Sequence, residues 1–311
     1  MSDLKTQENN TAKIMQHANK LGLAIPAFNV PYLPMIEPMV RAVSNQNSFC
    51  LIEVACLEWK KFESGSPAAV MREYLLYQDS NHTRIHLDHV PVIDEDGLEV
   101  DYLSIIEEAI DLGYQSVMVD GSRLSLDDNI NATKKVAKIA HLAGIPCEAE
   151  LGAVLGHEEG PLPPYEELFL SGKGFTDVSE AKRFVEETEC DWLSVAVGNI
   201  HGNISKAKRD LKKVQAKIDI DHLDSLHRET GIPLVLHGGS GVQQEYVLES
   251  IKHGITKINI GTEVRQAYEI ALKATGDSAG AAEALYERTT WLIKDYLKLT
   301  DSKDILIRAN K

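Results

Sequence analysis

Three histidines in the chain are spaced so that they could bind one metal ion. His89, His201 and His237 each follow a short apolar run. If these runs are strands of one parallel barrel, their carboxyl ends lie on the same face and the three imidazoles can converge there. Three neutral imidazoles with an open fourth position form a catalytic zinc arrangement. A lone histidine at a strand end is often a hydrogen-bonded structural residue, so the spacing alone leaves both interpretations open.

Polar residues follow all eight of the predicted strands described below. Each polar residue alone has a structural explanation, but polarity at eight successive strand ends indicates that something is bound there. These residues are Asn29, Glu53, Asp88 with His89, Asp120 with Ser122, Glu150, Asn199 with His201, His237, and Asn259.

Two glycine-containing segments predict a phosphate site. His237-Gly-Gly-Ser-Gly241 and Asn259-Ile-Gly-Thr262 follow the seventh and eighth predicted strands, and each leads into a helix. Glycine lets backbone N–H groups approach an anion closely, and a helix N-terminus adds a favourable dipole. Barrels frequently bind phosphate at these two loops, although either segment alone could be only a tight turn.

The elements that must position these residues alternate along the chain. Short β-branched runs alternate with stretches of helical periodicity from end to end, without a Pro/Gly/Ser linker between them. The predicted strands are Ala24–Val30, Phe49–Ala55, Arg84–His89, Ser116–Asp120, Cys147–Gly152, Trp192–Val197, Pro233–His237 and Lys257–Ile260. The predicted helices are Met35–Asn45, Ala68–Tyr77, Tyr102–Asp111, Asp128–Ala143, Ser179–Glu189, Leu211–Glu229, Gln244–Lys252 and Glu263–Ala274.

Eight such units predict an α/β fold, a (β/α)8 TIM barrel forming a single domain over residues 1–311. The segment Glu283–Leu299 predicts an extra amphipathic helix at the C-terminus. An open doubly wound sheet is the alternative, but no GxGxxG follows the first strand. Long connections follow strands three, five and six, on the face where barrels build active sites.

Composition excludes several classes of function. Among the 311 residues, 43% are hydrophobic, which is normal for a globular protein, and the net charge is −15. A surface this acidic argues against a nucleic-acid partner. The sequence shows neither a secretory signal nor an apolar run long enough to span a membrane. The four cysteines contain no CxxC pair, so we expect free thiols and a cytoplasmic location.

The chain resembles the class II, metal-dependent ketose-bisphosphate aldolases, including fructose- and tagatose-bisphosphate aldolases. The matching segments run in order across most of the chain: Pro26-Ala-Phe-Asn29, His86-Leu-Asp-His89, Ser116-Val-Met-Val-Asp-Gly-Ser122, Glu148-Ala-Glu-Leu-Gly152, Ala196-Val-Gly-Asn-Ile-His-Gly202, Leu236-His-Gly-Gly-Ser240 and Lys257-Ile-Asn-Ile-Gly-Thr262. The resemblance implies reversible cleavage of a phosphorylated ketose to dihydroxyacetone phosphate and an aldehyde.

The resemblance also implies roles for individual residues. It implies zinc on His89, His201 and His237, Asp88 as the acid/base at the substrate C4 hydroxyl, and Glu158 as the group that handles the C3 proton. The phosphate of dihydroxyacetone phosphate would lie on Gly202, Gly238, Gly239, Ser240, Asn259, Ile260, Gly261 and Thr262. Further lining residues would be Asn29, Glu53 and Glu150. We expect a homo-oligomer, a dimer or a tetramer, and the use of a monovalent cation (Na⁺ or K⁺) stays open.

Departures from the family pattern concern substrate choice. Family members commonly have Gln-x-Ser after strand two, where this chain has Glu53-Val-Ala-Cys-Leu-Glu-Trp59. The acidic segment Val90 to Val100 is longer than usual, and Leu155 and His157 replace small or acidic residues. A glutamate near a distal phosphate would repel it, so we expect a ketose monophosphate or a sugar with an uncharged or differently charged distal end.

Three alternatives to a metal-dependent aldolase stand beside this interpretation. A Schiff-base mechanism needs a lysine in the barrel interior. Strand six has none, and Lys257 is expected at the start of strand eight, the wrong end. The other two are a different three-histidine barrel enzyme, such as an epimerase or a hydrolase, and a non-catalytic protein that binds sugar phosphates.

Overall fold

A computed structural model describes residues 10–152, 164–199 and 215–307. Eight parallel strands close into a barrel in which each strand pairs with the next and the eighth pairs with the first. The strands are β1 Ile25–Asn29, β2 Cys50–Ala55, β3 Thr83–Pro91, β4 Val117–Asp120, β5 Cys147–Leu151, β6 Trp192–Val195, β7 Leu234–Leu236 and β8 Ile255–Ile260. The predicted (β/α)8 barrel is therefore confirmed, and the open sheet is excluded.

Helices alternate with the strands and cover the outside of the barrel. They are α1 Thr11–Leu21, α2 Ile36–Asn45, α3 Cys56–Lys61, α4 Pro67–Tyr77, α5 Tyr102–Leu112, α6 Leu126–Leu142, α7 Tyr165–Ser171, α8 Val178–Thr188, α9 Ile220–Thr230, α10 Gln244–Lys252, α11 Thr262–Thr275, α12 Ser278–Trp291 and α13 Ser302–Leu306. The main core lies between the strands and these helices, which explains why the strands are apolar on both faces.

A second core closes the amino-terminal end of the barrel. Ile14 and Met15 of α1 pack with Phe49, Trp192 and neighbouring apolar side chains in one buried cluster. Helix α1 was not predicted, although the sequence contains boundary signals for it. The Asn10 side chain caps its start, and Gly22 ends it with φ 61°. With this end closed, the carboxyl ends of the strands form the mouth that is available for a site.

Several predicted boundaries differ from the structure by one or two residues, one helix begins later still, and the start of strand eight matters for the site. The helix expected over Leu211–Glu229 begins only at Ile220, because Ala216 forms a parallel bridge with Val242 and Asp219 caps the helix. Strand eight begins at Ile255, not at Lys257. Lys257 is therefore an interior residue of β8, and the expectation that it lies at the wrong end of that strand is corrected.

The predicted C-terminal helix is present and longer than expected. It runs as α12 from Ser278 to Trp291 and continues as a π-helical turn over Leu292–Tyr296. The Tyr296 side chain at the end of this turn is buried. Among the described residues, no helix combines the length and apolar character that crossing a membrane requires.

Candidate active site at the barrel mouth

An irregularity in β3 turns two neighbouring side chains toward the mouth. The register between β3 and β4 shifts between Leu87 and Val90, and His89 has φ 35°. In a regular strand, adjacent side chains point to opposite faces. Here a carboxylate oxygen of Asp88 and a ring nitrogen of His89 lie within 4.8 Å of each other and of a ring nitrogen of His237. A left-handed conformation at a histidine costs on the order of 1–3 kcal/mol and occurs mainly at functional sites.

His237, which follows β7, is oriented by two glutamates of β5. Its Nε2 lies 2.9 Å from Glu148 Oε1, and its Nδ1 lies 3.1 Å from Glu150 Oε2. The His89 and His237 rings are 4.4 Å apart between centroids. A carboxylate behind a histidine fixes which nitrogen faces a metal ion and raises its basicity. The expected site residues His89, His237 and Glu150 are thus brought together.

The electrostatics of this cluster favour positive charge. Burial lowers the pKa of His237, but Glu148 and Glu150 outweigh it and raise that pKa to about 10. Burial also opposes protonation of His89, and Asp88 with Asp120 raises its pKa to about 9. Imidazole nitrogens beside carboxylates suit zinc, because a divalent cation can replace the protons that these groups otherwise hold. The donor set therefore fits the metal that the sequence predicts.

Asp88 is held in its ionised form. Its side chain is buried, and its two oxygens accept hydrogen bonds from Asn29 Nδ2 at 3.1 Å and from Asn259 Nδ2 at 3.0 Å. Burial raises the pKa of Asp88, but His89 and Lys257 outweigh burial and lower it to about 2. A carboxylate has about four lone-pair sites, so Asp88 can accept a further hydrogen bond from a substrate hydroxyl.

Lys257 lies inside the barrel beneath Asp88. Its fully buried Nζ is 2.7 Å from Glu148 Oε2, 3.2 Å from Glu53 Oε2 and 3.7 Å from Asp88 Oδ1. Burial lowers the pKa of Lys257, but the carboxylates outweigh burial and raise it. An amine must be neutral to attack a carbonyl. The charge on Lys257, and not its position along the strand, therefore argues against a Schiff-base mechanism.

Glu53 does not lie where the sequence analysis expected it. The side chain is fully buried within β2 and pairs with Lys257, and β2 continues for two more residues to Ala55. Burial raises the pKa of Glu53 well above its ordinary value, although Lys257 lowers it, and the group faces the barrel interior. Glu53 is therefore not placed to repel a distal phosphate, and the other glutamate of this segment, Glu58, is the remaining candidate.

The predicted phosphate loops lie against each other at the ends of β7 and β8. The backbone after β7 forms a 3₁₀ turn over Gly239–Gly241, and the Glu263 N–H in the first turn of α11 donates to Ser240 Oγ at 3.4 Å. A Cβ added at Gly239 would lie 2.6 Å from Ile258 Cγ2, so only glycine allows this contact. The Tyr296 hydroxyl donates to the Val242 carbonyl at 2.7 Å and supports the loop from behind.

Several predicted site residues lie outside the described residues. These are His201, Gly202 and Glu158, together with Leu155 and His157. Their roles stay predictions.

Glu58 is a residue near the site that the sequence analysis missed. Its Oε2 accepts a hydrogen bond from the Ala55 N–H at 2.8 Å, and the residue is only 8% exposed. Burial raises its pKa to about 8, although the Ala55 N–H lowers it. The sequence does contain a signal for it. Glu58 is the third residue of a helix that starts directly after a strand, and a glutamate at this position often caps the start of the helix.

The long acidic connection after β3 is folded and partly neutralised. Ile93 and Glu99 form an antiparallel bridge, and Asp94 Oδ1 accepts from the Asp96 and Leu98 N–H groups. Lys60 lies 3.6 Å from Asp94, and Lys61 lies 2.5 Å from Glu95. These ion pairs join the connection to α3, the helix that also carries Glu58.

Comparison with known proteins gives the same family throughout. The family model for class-II fructose-bisphosphate aldolase matches residues 9–304. A fructose-bisphosphate aldolase of Streptococcus pyogenes serotype M3 is 33% identical over 280 residues, which is 88% of this chain and 86% of the relative. The corresponding protein of serotype M1 is 32% identical over the same shares of both chains.

Solved structures show the same fold. The YdjI aldolase from Escherichia coli K12 is 27% identical, with a TM-score of 0.74 over 94% of this chain and 98% of that chain. A putative fructose-1,6-biphosphate aldolase from Coccidioides immitis is 24% identical, with a TM-score of 0.74 over 95% of this chain and 98% of that chain. The second likeness supports the fold alone.

Proposed function

Because the chain belongs to the class II fructose-bisphosphate aldolase family, it is an aldolase, a carbon–carbon lyase, and we propose that it reversibly cleaves a phosphorylated ketose to dihydroxyacetone phosphate and an aldehyde with zinc as cofactor. The observation that supports this function best is the position of the ionised Asp88 beside His89 and His237 at the barrel mouth. The family assignment does not favour an epimerase, a hydrolase or a non-catalytic binding protein.

His89, His237 and His201 are the proposed zinc ligands. The described geometry supports the first two, and His201 rests on the family resemblance. Glu148 orients His237 through Nε2, and Glu150 lies at the other ring nitrogen, Nδ1. When bound, zinc supplies Lewis acidity to the ketose oxygens.

Asp88 is the proposed base for the C4 hydroxyl proton in cleavage and the acid in the reverse direction. Asn29 and Asn259 fix the plane of its carboxylate, and Lys257 keeps it ionised. A positioned acid/base group typically contributes 10²–10⁴-fold to the rate. Glu158 is the proposed group for the C3 proton, on the resemblance alone.

The phosphate of the three-carbon product is proposed to bind at the loops after β7 and β8. The proposed donors are the backbone N–H groups of Gly238, Gly239, Ser240, Gly261 and Thr262, with Asn259, Ile260 and Gly202 completing the proposed set. The tight packing of Gly239 on Ile258 supports a preformed cradle for a small anion.

The proposal also covers the oligomeric state, the location and a monovalent cation. The chain is proposed to act as one catalytic domain, as a dimer or tetramer that assembles through its extra helices. Its four cysteines are free and buried, which supports a reducing, cytoplasmic location. A monovalent cation, Na⁺ or K⁺, is included only through the resemblance.

Metal removal tests this function. Treatment with a chelator should abolish both ketose cleavage and solvent exchange of the dihydroxyacetone phosphate proton, and Zn²⁺ should restore both. Borohydride added with substrate should not inactivate the enzyme. Covalent trapping of substrate on a lysine, with full activity after chelation, would contradict the metal mechanism.

A further inference from the structure

Glu58 occupies a position beside the acid/base group that the mechanism above does not use. Ala55, the last residue of β2, pairs in register with Asp88 on β3. The chain then turns directly into α3, and Glu58 folds back so that its carboxylate caps the Ala55 N–H at 2.8 Å. The Glu58 carboxyl therefore lies over the end of the strand that neighbours Asp88.

Asn29 and Asp88 both lie near the Glu58 carboxyl. The Asn29 amide donates to Asp88 Oδ2 at 3.1 Å. Burial is the main cause of the raised pKa of Glu58; Asp88 also raises that pKa and Asn29 lowers it. In an aldol cleavage that uses Asp88 at the C4 hydroxyl, the atoms of the aldehyde half begin at C4. These atoms must therefore lie next to Asp88, whose register partner on β2 is Ala55, the residue that Glu58 caps.

The basic side chains described around α3 are already paired. Lys60 and Lys61 face Asp94 and Glu95 at 3.6 and 2.5 Å. Arg265, which lies over the Phe62 ring, is 2.5 Å from Glu269. A phosphate on the aldehyde half would need a cation to replace its water, because an unpaired charge is costly to desolvate. Among the described residues around α3, such a phosphate would therefore meet carboxyl groups and cations that already have a carboxylate partner.

We propose that Glu58 is a specificity-determining residue for the aldehyde half, and that this half is an uncharged, hydroxylated aldehyde and not a phosphorylated one. The proposal rests on the proposed function and names its substrate class, a ketose that carries one phosphate. Burial raises the pKa of Glu58 to about 8, so near neutral pH the protonated carboxyl can donate to a substrate hydroxyl. Its ionised form, above that pH, repels phosphate.

Condensation kinetics with two aldehydes test this proposal. Dihydroxyacetone phosphate is combined with D-glyceraldehyde or with D-glyceraldehyde 3-phosphate, and kcat/KM is compared for the wild type and for Glu58→Gln, Glu58→Ala and Glu58→Lys. Glu63→Ala, an exposed carboxylate on the same segment, is the matched control. Proton exchange of dihydroxyacetone phosphate alone is measured for every variant, because it needs no aldehyde.

The wild type should prefer D-glyceraldehyde by at least about tenfold in kcat/KM. Glu58→Ala should lose about tenfold with that aldehyde, equivalent to about 1.4 kcal/mol, while proton exchange stays within about twofold. Glu58→Gln should keep the preference, and Glu58→Lys should shift it toward the phosphorylated aldehyde.

Two results would overturn the specificity role. One is a wild type that exchanges the proton normally and prefers the phosphorylated aldehyde. The other is a Glu58→Ala variant that matches Glu63→Ala with both aldehydes, or that loses proton exchange along with condensation. A wild type that does not exchange the proton at all would instead refute the proposed function, and this inference with it.

Discussion

Asp88 and His89 are consecutive residues, yet a carboxylate oxygen of one and a ring nitrogen of the other lie within 4.8 Å of each other at the barrel mouth. The positive φ of 35° at His89 and the register shift beside it make this possible, because a regular strand would turn one of the two side chains away from the mouth. The irregularity thus places a proposed metal ligand and a proposed acid/base group in one site.

Replacing a proposed ligand should release the metal. His89→Ala and His237→Ala should each lower zinc content well below one ion per chain, since removal of one imidazole weakens a three-histidine site. Elemental analysis after gel filtration measures this. His141→Ala is the matched control. His141 lies near the end of α6 and contacts Asp191, which directly precedes β6 at the end of the barrel opposite the mouth, so it should not affect zinc content. Full occupancy in both ligand variants would show that these histidines are structural.

Removal of the buried ammonium group should destabilise the protein. Lys257→Met leaves Glu53, Glu148 and Asp88 without their cation, and breaking a buried ion pair typically costs about 3–5 kcal/mol. Denaturant unfolding measures the change in the free energy of unfolding. Adding Glu53→Gln to Lys257→Met should recover part of the loss, because one buried carboxylate is removed. A single variant as stable as the wild type would contradict the network.

The C-terminal π-helical turn should influence phosphate binding. Tyr296→Phe removes the hydroxyl that donates to the Val242 carbonyl, a hydrogen bond worth about 0.5–1.5 kcal/mol, so the loop after β7 should be held less firmly. We expect KM for dihydroxyacetone phosphate to rise about three- to tenfold in condensation assays with little change in kcat. Tyr286 lies in α12, the helix that leads into this turn, and its hydroxyl accepts a hydrogen bond from Asn45 of α2. Tyr286→Phe should leave KM unchanged. Equal KM values in the two variants would refute this support role.

Glu58 should make stability fall as pH rises. Burial raises its pKa in the folded state to about 8 from the ordinary 4.5, so between these values the folded chain holds a proton that the unfolded chain has lost. The stabilisation is complete below pH 4.5 and is lost as pH rises toward 8, by up to about 1.4 kcal/mol per pH unit. Glu58→Gln should therefore gain stability relative to the wild type from pH 5 to pH 8, measured by urea unfolding. A constant difference across that range would contradict the raised pKa.

The strands were predictable because each is a short apolar run that is covered on both faces. Their order then placed Asp88, His89 and His237 on one face, since parallel strands in a closed barrel share a carboxyl end. These features depend on local patterns that repeat along the chain.

The errors in prediction arose where tertiary contacts decide the outcome. The interior place of Lys257 depends on three carboxylates from β2, β3 and β5, which are distant in sequence. Glu53 was misplaced because its partner is that same lysine. The strained backbone at His89 could not be predicted, since any positive φ is uncommon outside glycine even though histidine adopts it more often than most residues.

The most direct test of the mechanism separates ketose cleavage from proton exchange in Asp88→Ala. If Asp88 serves only the C4 hydroxyl, this variant should lose cleavage by roughly 10²–10⁴-fold, because that is the usual contribution of an acid/base group. It should still bind zinc and exchange the proton of dihydroxyacetone phosphate, since exchange needs only the metal and the C3 base. Loss of deuterium from stereospecifically labelled dihydroxyacetone phosphate, followed by NMR, measures exchange beside a cleavage assay. Cleavage that is unimpaired in Asp88→Ala would contradict the proposed mechanism.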